Sequence, residues 1–311
     1  MFFAKYRMWD LNKKKTNTKE NIKVVNMSTL QFAELSIKRN SLTRNLPEGN
    51  EELQWVSNTA VLIYGEKDAV LVDTFITIEH NQKLIDWIKS FNRNLTYIYI
   101  THGHGDHFFG IKQIIEAFPH VKAIATAGTV QECFKQEKMI EGFWDKLFPN
   151  QIPQPQVIPD VMDTNFFELE GHRFEIIEAG FTDTANTTTL WIPDIQLLEA
   201  GDVVYNGIHQ YLAETTESTR HDWIQAIDRL IQLNPQYVIV GHKVPENENN
   251  PKIMGETKQY LLDFNRLDKE TDTALDLYHA MLKIYPNRVN PGSLWGSANA
   301  AKAVSRSAQN K

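Results

Sequence analysis

The chain has 311 residues and a formal net charge of −7, with 42% hydrophobic and 23% charged residues. This length and composition are ordinary for a soluble globular protein with a sizeable core. The acidic balance argues against broad contact with nucleic-acid phosphates. No stretch approaches the roughly twenty apolar residues of a membrane span. We therefore expect a cytoplasmic protein with no nucleic-acid or membrane partner.

Residues 1–26 are predicted to be a flexible leader. An apolar start is followed by Lys13, Lys14 and Lys15 and by a run of Thr, Asn and Lys. It contains no continuous apolar segment of signal-peptide length and no small-residue cleavage site. We expect the folded domain to occupy residues 27–250 and a helical C-terminal extension to occupy residues 251–311.

Strand and helix signals alternate after the leader. Two apolar runs, residues 60–64 and 69–72, flank a short polar turn and predict a β-hairpin. A helix around residues 84–91 then leads into a β-branched and aromatic run at residues 97–100, which predicts a buried strand. Strands and helices interleave in two sets along the chain, which favours an α/β fold of four layers.

The segment that leaves this strand reads Thr-His-Gly-His-Gly-Asp-His and contains four residues able to bind a metal. Histidines two positions apart on an extended segment point the same way. The intervening glycines let the backbone fold closely around a bound ion. A helix is predicted directly afterwards, over residues 108–118. Three histidines and an aspartate at this spacing predict a metal site, made of His102, His104, Asp106 and His107.

Three further apolar runs end in a residue that can bind a metal. Residues 69–72 lead to Asp73, residues 196–201 lead to Asp202, and residues 237–241 lead to His242. An Asp after one strand is usually a turn former. The order Asp, His, Asp, His over four strand ends indicates two similar halves that meet at a shared site.

The His-x-His-x-Asp-His segment resembles the signature of the metallo-β-lactamase-fold metallo-hydrolases, over roughly residues 57–243. The resemblance implies a four-layer αβ/βα sandwich that holds one or two metal ions. It implies that Asp202 bridges the metals and that Asp73 orients a ligand histidine through its second ring nitrogen. The implied ligands are His102, His104, Asp106, His107, Asp202 and His242.

One residue departs from the pattern of this family. Phe181 stands where a further ligand histidine is expected, and phenylalanine cannot bind a metal. The departure affects the ion that His102 and His104 would bind, whereas the ligand set of the other ion is complete: Asp106, His107, Asp202 and His242. Four interpretations are open. Either the complete set holds a single ion, or Asp183 or Glu178 replaces the histidine, which favours iron or manganese over zinc. Alternatively, a first ion binds weakly through fewer ligands, or the protein is an inactive scaffold with a binding or regulatory role.

The expected chemistry is hydrolysis by a metal-bound hydroxide. A bound divalent ion, with zinc as the first expectation, lowers the pKa of its water to about 7. Asp106 is expected to orient the attacking water as well as to bind metal. No Gly-x-Ser-x-Gly elbow is present, and Cys133 has no motif around it.

The substrate is expected to be a small molecule with an ester or lactone-type carbonyl. The Asp-x-x-Tyr arrangement of Asp202 and Tyr205 resembles that of quorum-quenching lactonases, where the tyrosine hydroxyl contacts the substrate carbonyl. Tyr205 is equally compatible with a position in the core. His209 is compatible with a position in the pocket or on the surface. The expected apolar pocket walls are Phe108, Phe109, Phe143 and Trp144.

Helical spacing dominates the C-terminal region. Residues 254–284 lack strand patterning, and their apolar residues recur at intervals typical of helices. We expect these helices to pack on the sandwich or to mediate association into a homo-oligomer.

Overall fold

The computed structural model describes residues 30–43 and 45–309, with side chains described up to residue 303. The predicted leader, residues 1–26, lies outside the described residues. The strands are β1 Gln31–Asn40, β2 Trp55–Tyr64, β3 Asp68–Val72, β4 Asn94–Tyr99, β5 Lys122–Ala125, β6 Asp160–Val161, β7 Phe166–Leu169, β8 His172–Gly180, β9 Thr187–Ile192, β10 Leu197–Glu199, β11 Tyr205–Asn206, β12 Tyr237–Ile239 and β13 His242–Lys243.

Helices cover both outer faces and form the C-terminal region. The α-helices are α1 Ile78–Ser90, α2 Gly105–Phe108, α3 Ile111–Ala117, α4 Ala127–Lys138, α5 Asp145–Leu147, α6 Glu217–Ile231, α7 Lys252–Glu270, α8 Ala274–Ile284 and α9 Pro291–Gln309. A π-helical turn, Ile140–Trp144, joins α4 to α5. In the described part of the chain, no helix is both long enough and apolar enough to cross a membrane.

Two main sheets form the centre of the fold. The first has the order β1-β2-β3-β4-β5-β6, and the second has the order β12-β10-β9-β8-β7. A short parallel pair, β11 and β13, is separate from both. The predicted hairpin is confirmed, since β2 and β3 pair in antiparallel register from Val61–Val72 to Tyr64–Ala69.

Side-chain alternation along the strands produces the layers. On β3, Val70 and Val72 belong to the apolar cluster between the two sheets, whereas Ala69 and Leu71 belong to the cluster beneath the first set of helices. A strand that is buried on both faces reads as a continuous apolar run. The predicted four-layer α/β sandwich is therefore confirmed.

The helix predicted over residues 108–118 is instead two short helices, α2 and α3. The His107 carbonyl, which would serve a longer helix, accepts hydrogen bonds from the Thr74 backbone N–H (2.7 Å) and hydroxyl (3.0 Å). At Gly110, between the helices, a Cβ would lie 2.1 Å from Asn81 Oδ1. These contacts hold α2 as a separate turn close to the end of β3.

The predicted helical extension appears as α7, α8 and α9. Phe264 of α7, Leu277 of α8 and Leu294 of α9 are fully buried. All three belong to one apolar cluster with Trp223 of α6 and Val203, which follows β10. These helices thus share a core with the second half of the sandwich. The division at residue 250 into a domain and an extension stays a prediction.

Candidate metal centre

The six predicted ligands come together at the ends of strands from both sheets. His102 and His104 lie in the loop after β4, and Asp106 and His107 lie on α2. Asp202 lies on a 3₁₀ turn after β10, and His242 begins β13. All except the half-buried His104 are buried. Asp73, His102, Asp202 and His242, which follow four separate strands in the sequence, therefore belong to one cluster in space.

One group of ligand atoms is centred on Asp202 and His242. His242 Nε2 lies 3.1 Å from Asp202 Oδ2 and 3.7 Å from Asp106 Oδ2. His107 Nε2 lies 3.6 Å from Asp202 Oδ1. The ligand atoms of Asp106, His107 and His242 fall within 4.8 Å of one another. We call these three residues, with Asp202, the second set.

A second group includes a carboxylate from the segment after Phe181. Asp183 Oδ2 lies 3.0 Å from His104 Nδ1 and 3.7 Å from His102 Nε2. The ligand atoms of His102, His104, Asp183 and Asp202 fall within 4.8 Å of one another, and we call these residues the first set. The only sequence signal for Asp183 was its position two residues after Phe181. Glu178, the other candidate replacement, is exposed on β8 and does not belong to this group.

Asp73 holds His107 as the resemblance implied. Its Oδ2 lies 2.8 Å from His107 Nδ1, and it accepts hydrogen bonds from the Thr101 backbone N–H (2.9 Å) and hydroxyl (2.8 Å). His242 is held in a similar way, with Nδ1 2.6 Å from the Ser57 carbonyl. Because a carbonyl only accepts, Nδ1 of His242 carries the proton. In the neutral imidazole, Nε2 is therefore the nitrogen that holds the lone pair, and this atom faces Asp202 and Asp106.

Several atoms of the cluster have the properties of metal ligands without a partner. His102 Nε2, His107 Nε2 and Asp202 Oδ1 are buried and have no hydrogen-bond partner among the described residues. Buried polar atoms are almost always paired. Imidazole nitrogens and carboxylate oxygens that converge with gaps of 3–4 Å fit a divalent ion. The residues present thus fit the metal that the fold implies.

Arg39 and Asn58 fix the carboxylate of Asp106. Arg39 donates from its guanidinium to Asp106 Oδ2 at 2.8 Å, and the Asn58 amide donates to the same oxygen at 2.9 Å. Arg39 also donates to Asn58 Oδ1 at 2.9 Å. Burial raises the pKa of Asp106, but the charges of His107 and Arg39 outweigh it and hold that pKa well below its usual range. Asp106 is therefore ionised.

Sequence reasoning did not identify Arg39 or Asn58, which lie on β1 and β2. It also missed Glu214, whose Oε1 lies 3.1 Å from His104 Nε2. Glu214 accepts a second hydrogen bond from Thr184 at 2.7 Å. None of these residues stands near a ligand in the sequence, so the sequence contains no local signal for them.

Tyr205 lies beside the cluster. Its hydroxyl donates to Asp202 Oδ2 at 3.0 Å, and its ring stacks on His242 with centroids 5.7 Å apart. Burial, followed by the charge of Asp202, raises the pKa of Tyr205 well above its usual range. The hydroxyl thus keeps its proton at neutral pH and can act as a hydrogen-bond donor.

A cavity of about 450 Å³ opens onto these residues. His104, Asp106, Asp202, Tyr205 and His242 line it, and so does His209. Of the predicted apolar walls, Phe143 and Trp144 line the cavity, as does Met139. Phe108 and Phe109 do not line it, because both are fully buried in the core beneath the first set of helices.

Two curated proteins and a family model resemble this chain in sequence. The family model described as the Metallo-beta-lactamase superfamily matches residues 53–242. A "Metallo-beta-lactamase type 2" of Bacillus cereus is 23% identical over 190 residues, which cover 60% of this chain and 67% of the relative. A protein with the same name from Bacillus sp. (strain 170) is 24% identical over 190 residues, with the same coverage.

Solved structures show the same fold. A metallo-beta-lactamase family protein from Thermus thermophilus has a TM-score of 0.59 and 18% identity, and the match covers 90% of this chain and 94% of that chain. A metallo-beta-lactamase from Pontibacter korlensis has a TM-score of 0.53 and 19% identity, with coverage of 67% and 89%. Since the family match spans more than half of the chain and includes every residue of both sets, the chain belongs to the metallo-beta-lactamase superfamily.

Proposed function

We propose that this protein is a metal-dependent hydrolase whose substrate carries an ester or lactone-type carbonyl. The observation that carries the proposal is the pair of ligand sets that meet at Asp202 on the floor of a cavity. Membership of the metallo-beta-lactamase superfamily supports hydrolysis as the reaction class.

The residues that would hold metal are those of the two sets. The first set combines two histidines with the carboxylates of Asp183 and Asp202, and the second combines two histidines with Asp106 and Asp202. Zinc accepts either set. The additional oxygen donor from Asp183 makes iron or manganese a better match for the first set than a third histidine would. A divalent ion bound there would lower the pKa of a water to about 7 and polarise a carbonyl.

Asp106 is proposed to orient the attacking water. Arg39 and Asn58 occupy its Oδ2, whereas its Oδ1 faces His107 Nε2 at 3.9 Å. A carboxylate that is fixed through one oxygen presents the other in a constant direction. Asp106 Oδ1 is thus the atom that can accept a hydrogen bond from a water at the floor of the cavity and orient it.

Tyr205 is proposed to bind the substrate carbonyl. Its hydroxyl keeps its proton and lies on the cavity floor, where it donates to Asp202 Oδ2; binding a carbonyl requires this proton to turn from Asp202 to the substrate. A donor placed where negative charge develops on a carbonyl oxygen stabilises the transition state. The stacking of its ring on His242 limits the positions that the hydroxyl can take.

The cavity lining supports a neutral substrate with an apolar part. Met139, Phe143 and Trp144 give it an apolar wall. Arg39 is paired with Asp106, so its charge is already neutralised, whereas Glu214 adds a negative charge. Away from the metal, a phosphorylated or multiply anionic group would find little compensation from these side chains.

The alternative, an inactive scaffold with a binding or regulatory role, rests on Phe181. Asp183 lies against both histidines of the first set, so the phenylalanine does not leave that set without a third partner. This contact favours the hydrolase. The metal content of the protein distinguishes the hydrolase from the inactive scaffold.

We would measure metal per chain by elemental analysis on protein purified without chelators, together with turnover of para-nitrophenyl esters and γ-lactones. We expect about one or two equivalents in the wild type. Asp202→Ala should lose both metal and turnover, because Asp202 belongs to both sets. Asp194→Asn, an exposed carboxylate that pairs with His172, is the matched control.

Two outcomes would overturn the proposal. If Asp202→Ala keeps its metal and full activity, the ligand assignment is wrong. If the wild type takes up no zinc, manganese or iron and hydrolyses none of these substrates, the inactive scaffold is the correct function class.

A further inference from the structure

One wall of the cavity is made by the segment after β11 and the start of α9. The His209 backbone N–H donates to the Val289 carbonyl at 2.8 Å, and Ile208 forms a parallel bridge with Val289. Leu212 N–H donates to the Ser297 hydroxyl on α9 at 2.8 Å. These hydrogen bonds fix the backbone on which the side chains of this wall stand.

His209 is fully buried and has one ring nitrogen without a partner. Its Nδ1 lies 3.0 Å from the Tyr260 hydroxyl, and its Nε2 has no hydrogen-bond partner among the described residues. Tyr260 is itself fully buried. Because its hydroxyl must donate and Nδ1 is the acceptor in reach, Nδ1 is unprotonated and Nε2 carries the proton. Burial, and then the positive charge of Arg288, lowers the pKa of His209 to about 3.

Ser293 is a second buried donor on the same wall. It lies in the first turn of α9 and lines the cavity, and its hydroxyl has no hydrogen-bond partner among the described residues. A buried donor without an acceptor is unfavourable in free energy. The wall thus presents two donors, His209 Nε2–H and the Ser293 hydroxyl, that neither the metal centre nor the fold uses.

We propose that His209 and Ser293 form a subsite that binds a hydrogen-bond acceptor in the acyl part of the substrate. The acceptor class that fits is a neutral ketone or amide carbonyl, because both partners donate. A carboxylate is disfavoured because Glu214 and Asp106 line the same cavity, whereas Arg288 donates to the Ile208 carbonyl and is not one of the lining residues. This inference rests on the proposed function and gives it a substrate class: apolar acyl chains that carry an internal carbonyl.

The test uses two series of para-nitrophenyl esters with equal chain lengths. One series is all-methylene; in the other a ketone moves along the chain, from levulinate onward. For the metal-loaded wild type we expect kcat/KM to favour the best keto ester over its alkyl partner by about tenfold, the effect of one good hydrogen bond. Most of the difference should be in KM, because the contact is remote from the reacting carbonyl.

Variants of the two donors distinguish the loss of ketone recognition from the loss of the folded enzyme. Ser293→Ala and His209→Phe should each reduce the preference toward unity while the alkyl ester is still hydrolysed. His209→Gln, whose amide can donate, should keep part of the preference. Met139→Ala is the matched control, since it changes the apolar wall and should lower turnover of both series equally.

Binding of an unreactive amide, in which the ester oxygen is replaced by nitrogen, gives a readout without turnover. Calorimetry should show the same preference for the ketone-bearing amide. If the wild type hydrolyses both series equally and binds both amides equally, the inference is wrong although the proposed function holds. If no ester or lactone is hydrolysed but the binding preference is present, the subsite is correct and the proposed reaction is wrong.

Discussion

At the scale of single residues, a carboxylate lies close to where Phe181 replaces an expected ligand histidine. Asp183 Oδ2 lies 3.7 Å from His102 Nε2 and 3.0 Å from His104 Nδ1. A carboxylate on the following turn thus reaches the two histidines that a ligand at position 181 would have joined. As a metal ligand, Asp183 would supply an oxygen donor where a histidine supplies nitrogen.

Asp183→Ala should remove the ion of the first set and leave the second. We expect about one equivalent of metal fewer per chain by elemental analysis. Asp183→His should restore binding and increase the ratio of zinc to manganese taken up from an equimolar mixture. Glu178→Gln, on the same segment but outside both sets, is the control. Unchanged metal content in Asp183→Ala would show that Asp183 is not a ligand.

Arg39→Met should loosen the position of the Asp106 carboxylate without unfolding the protein. Arg39 and Asn58 share one Asp106 oxygen, so loss of the guanidinium leaves a single donor on it. We expect kcat to fall by about 10- to 100-fold, as for other residues that hold a ligand. Arg39→Lys should recover part of this loss. Arg173→Met, an exposed arginine, is the control, and equal kcat in wild type and Arg39→Met would contradict this role.

At the scale of secondary-structure elements, the candidate ligands lie in loops and short helical turns that follow strands, or at the first residue of a short strand. The predicted strand before His102 is present as β4, but the helix predicted after His107 is divided at Gly110. The cause is a long-range contact, since the His107 carbonyl bonds to Thr74 rather than along a helix. The helical period of residues 108–118 therefore predicted a helix with an apolar face, but it did not predict the break at Gly110.

The contact between the segment after β11 and α7 should make the protein sensitive to acid. His209 has a usual pKa of 6.5 and a folded-state pKa of about 3, and the groups facing it are Tyr260 and the positive Arg288. Below pH 6.5 the unfolded chain binds a proton that the folded protein does not. The stabilisation is thus present above pH 6.5 and is lost as the pH falls toward 3.

His209→Gln should remove this dependence. We expect the free energy of unfolding, from urea titrations at several pH values, to fall less steeply in the variant, by about 1.4 kcal/mol per pH unit in that window. His221→Gln, an exposed histidine on α6, should behave as the wild type. Equal slopes for wild type and His209→Gln would mean that His209 is not buried as a neutral group.

At the scale of the whole molecule, the candidate metal centre lies where the two halves meet. Each half has an apolar core beneath its own helices, and a third core fills the space between the sheets. The C-terminal helices belong to the core of the second half. They also supply Ser293, so the same region stabilises the fold and completes the cavity.

Phe264→Ala tests this dependence on α7. The side chain is fully buried, so we expect a loss of about 3–5 kcal/mol in the free energy of unfolding. Leu262→Ala on the same helix, where the side chain is 39% exposed, should cost less than about 0.5 kcal/mol. Urea denaturation of both variants measures the difference. Similar small losses would show that α7 packs loosely on the sandwich.

Association into a homo-oligomer through these helices stays a prediction, which light scattering of the full chain measures directly. The predicted cytoplasmic location likewise stays a prediction. Both depend on properties beyond the fold of one chain, namely partner copies and cellular sorting.

The sequence by itself determined the fold class and six candidate ligands. His102, His104, Asp106 and His107 share one short segment, and Asp202 and His242 each follow an apolar strand. Such signals are local, because the period of a strand and the residue after its end are readable within a few positions. Residues whose role depends on one neighbouring strand are therefore visible in the sequence alone.

Only the tertiary structure decided how these residues are held and what surrounds them. Arg39 is 67 positions from Asp106, and Tyr260 is 51 positions from His209. The hydrogen bond of Tyr205 to Asp202 and the proximity of Asp183 to His104 depend on the direction of side chains, which periodicity leaves open. Contacts between distant segments are set by the packing of the layers, and no local pattern encodes them.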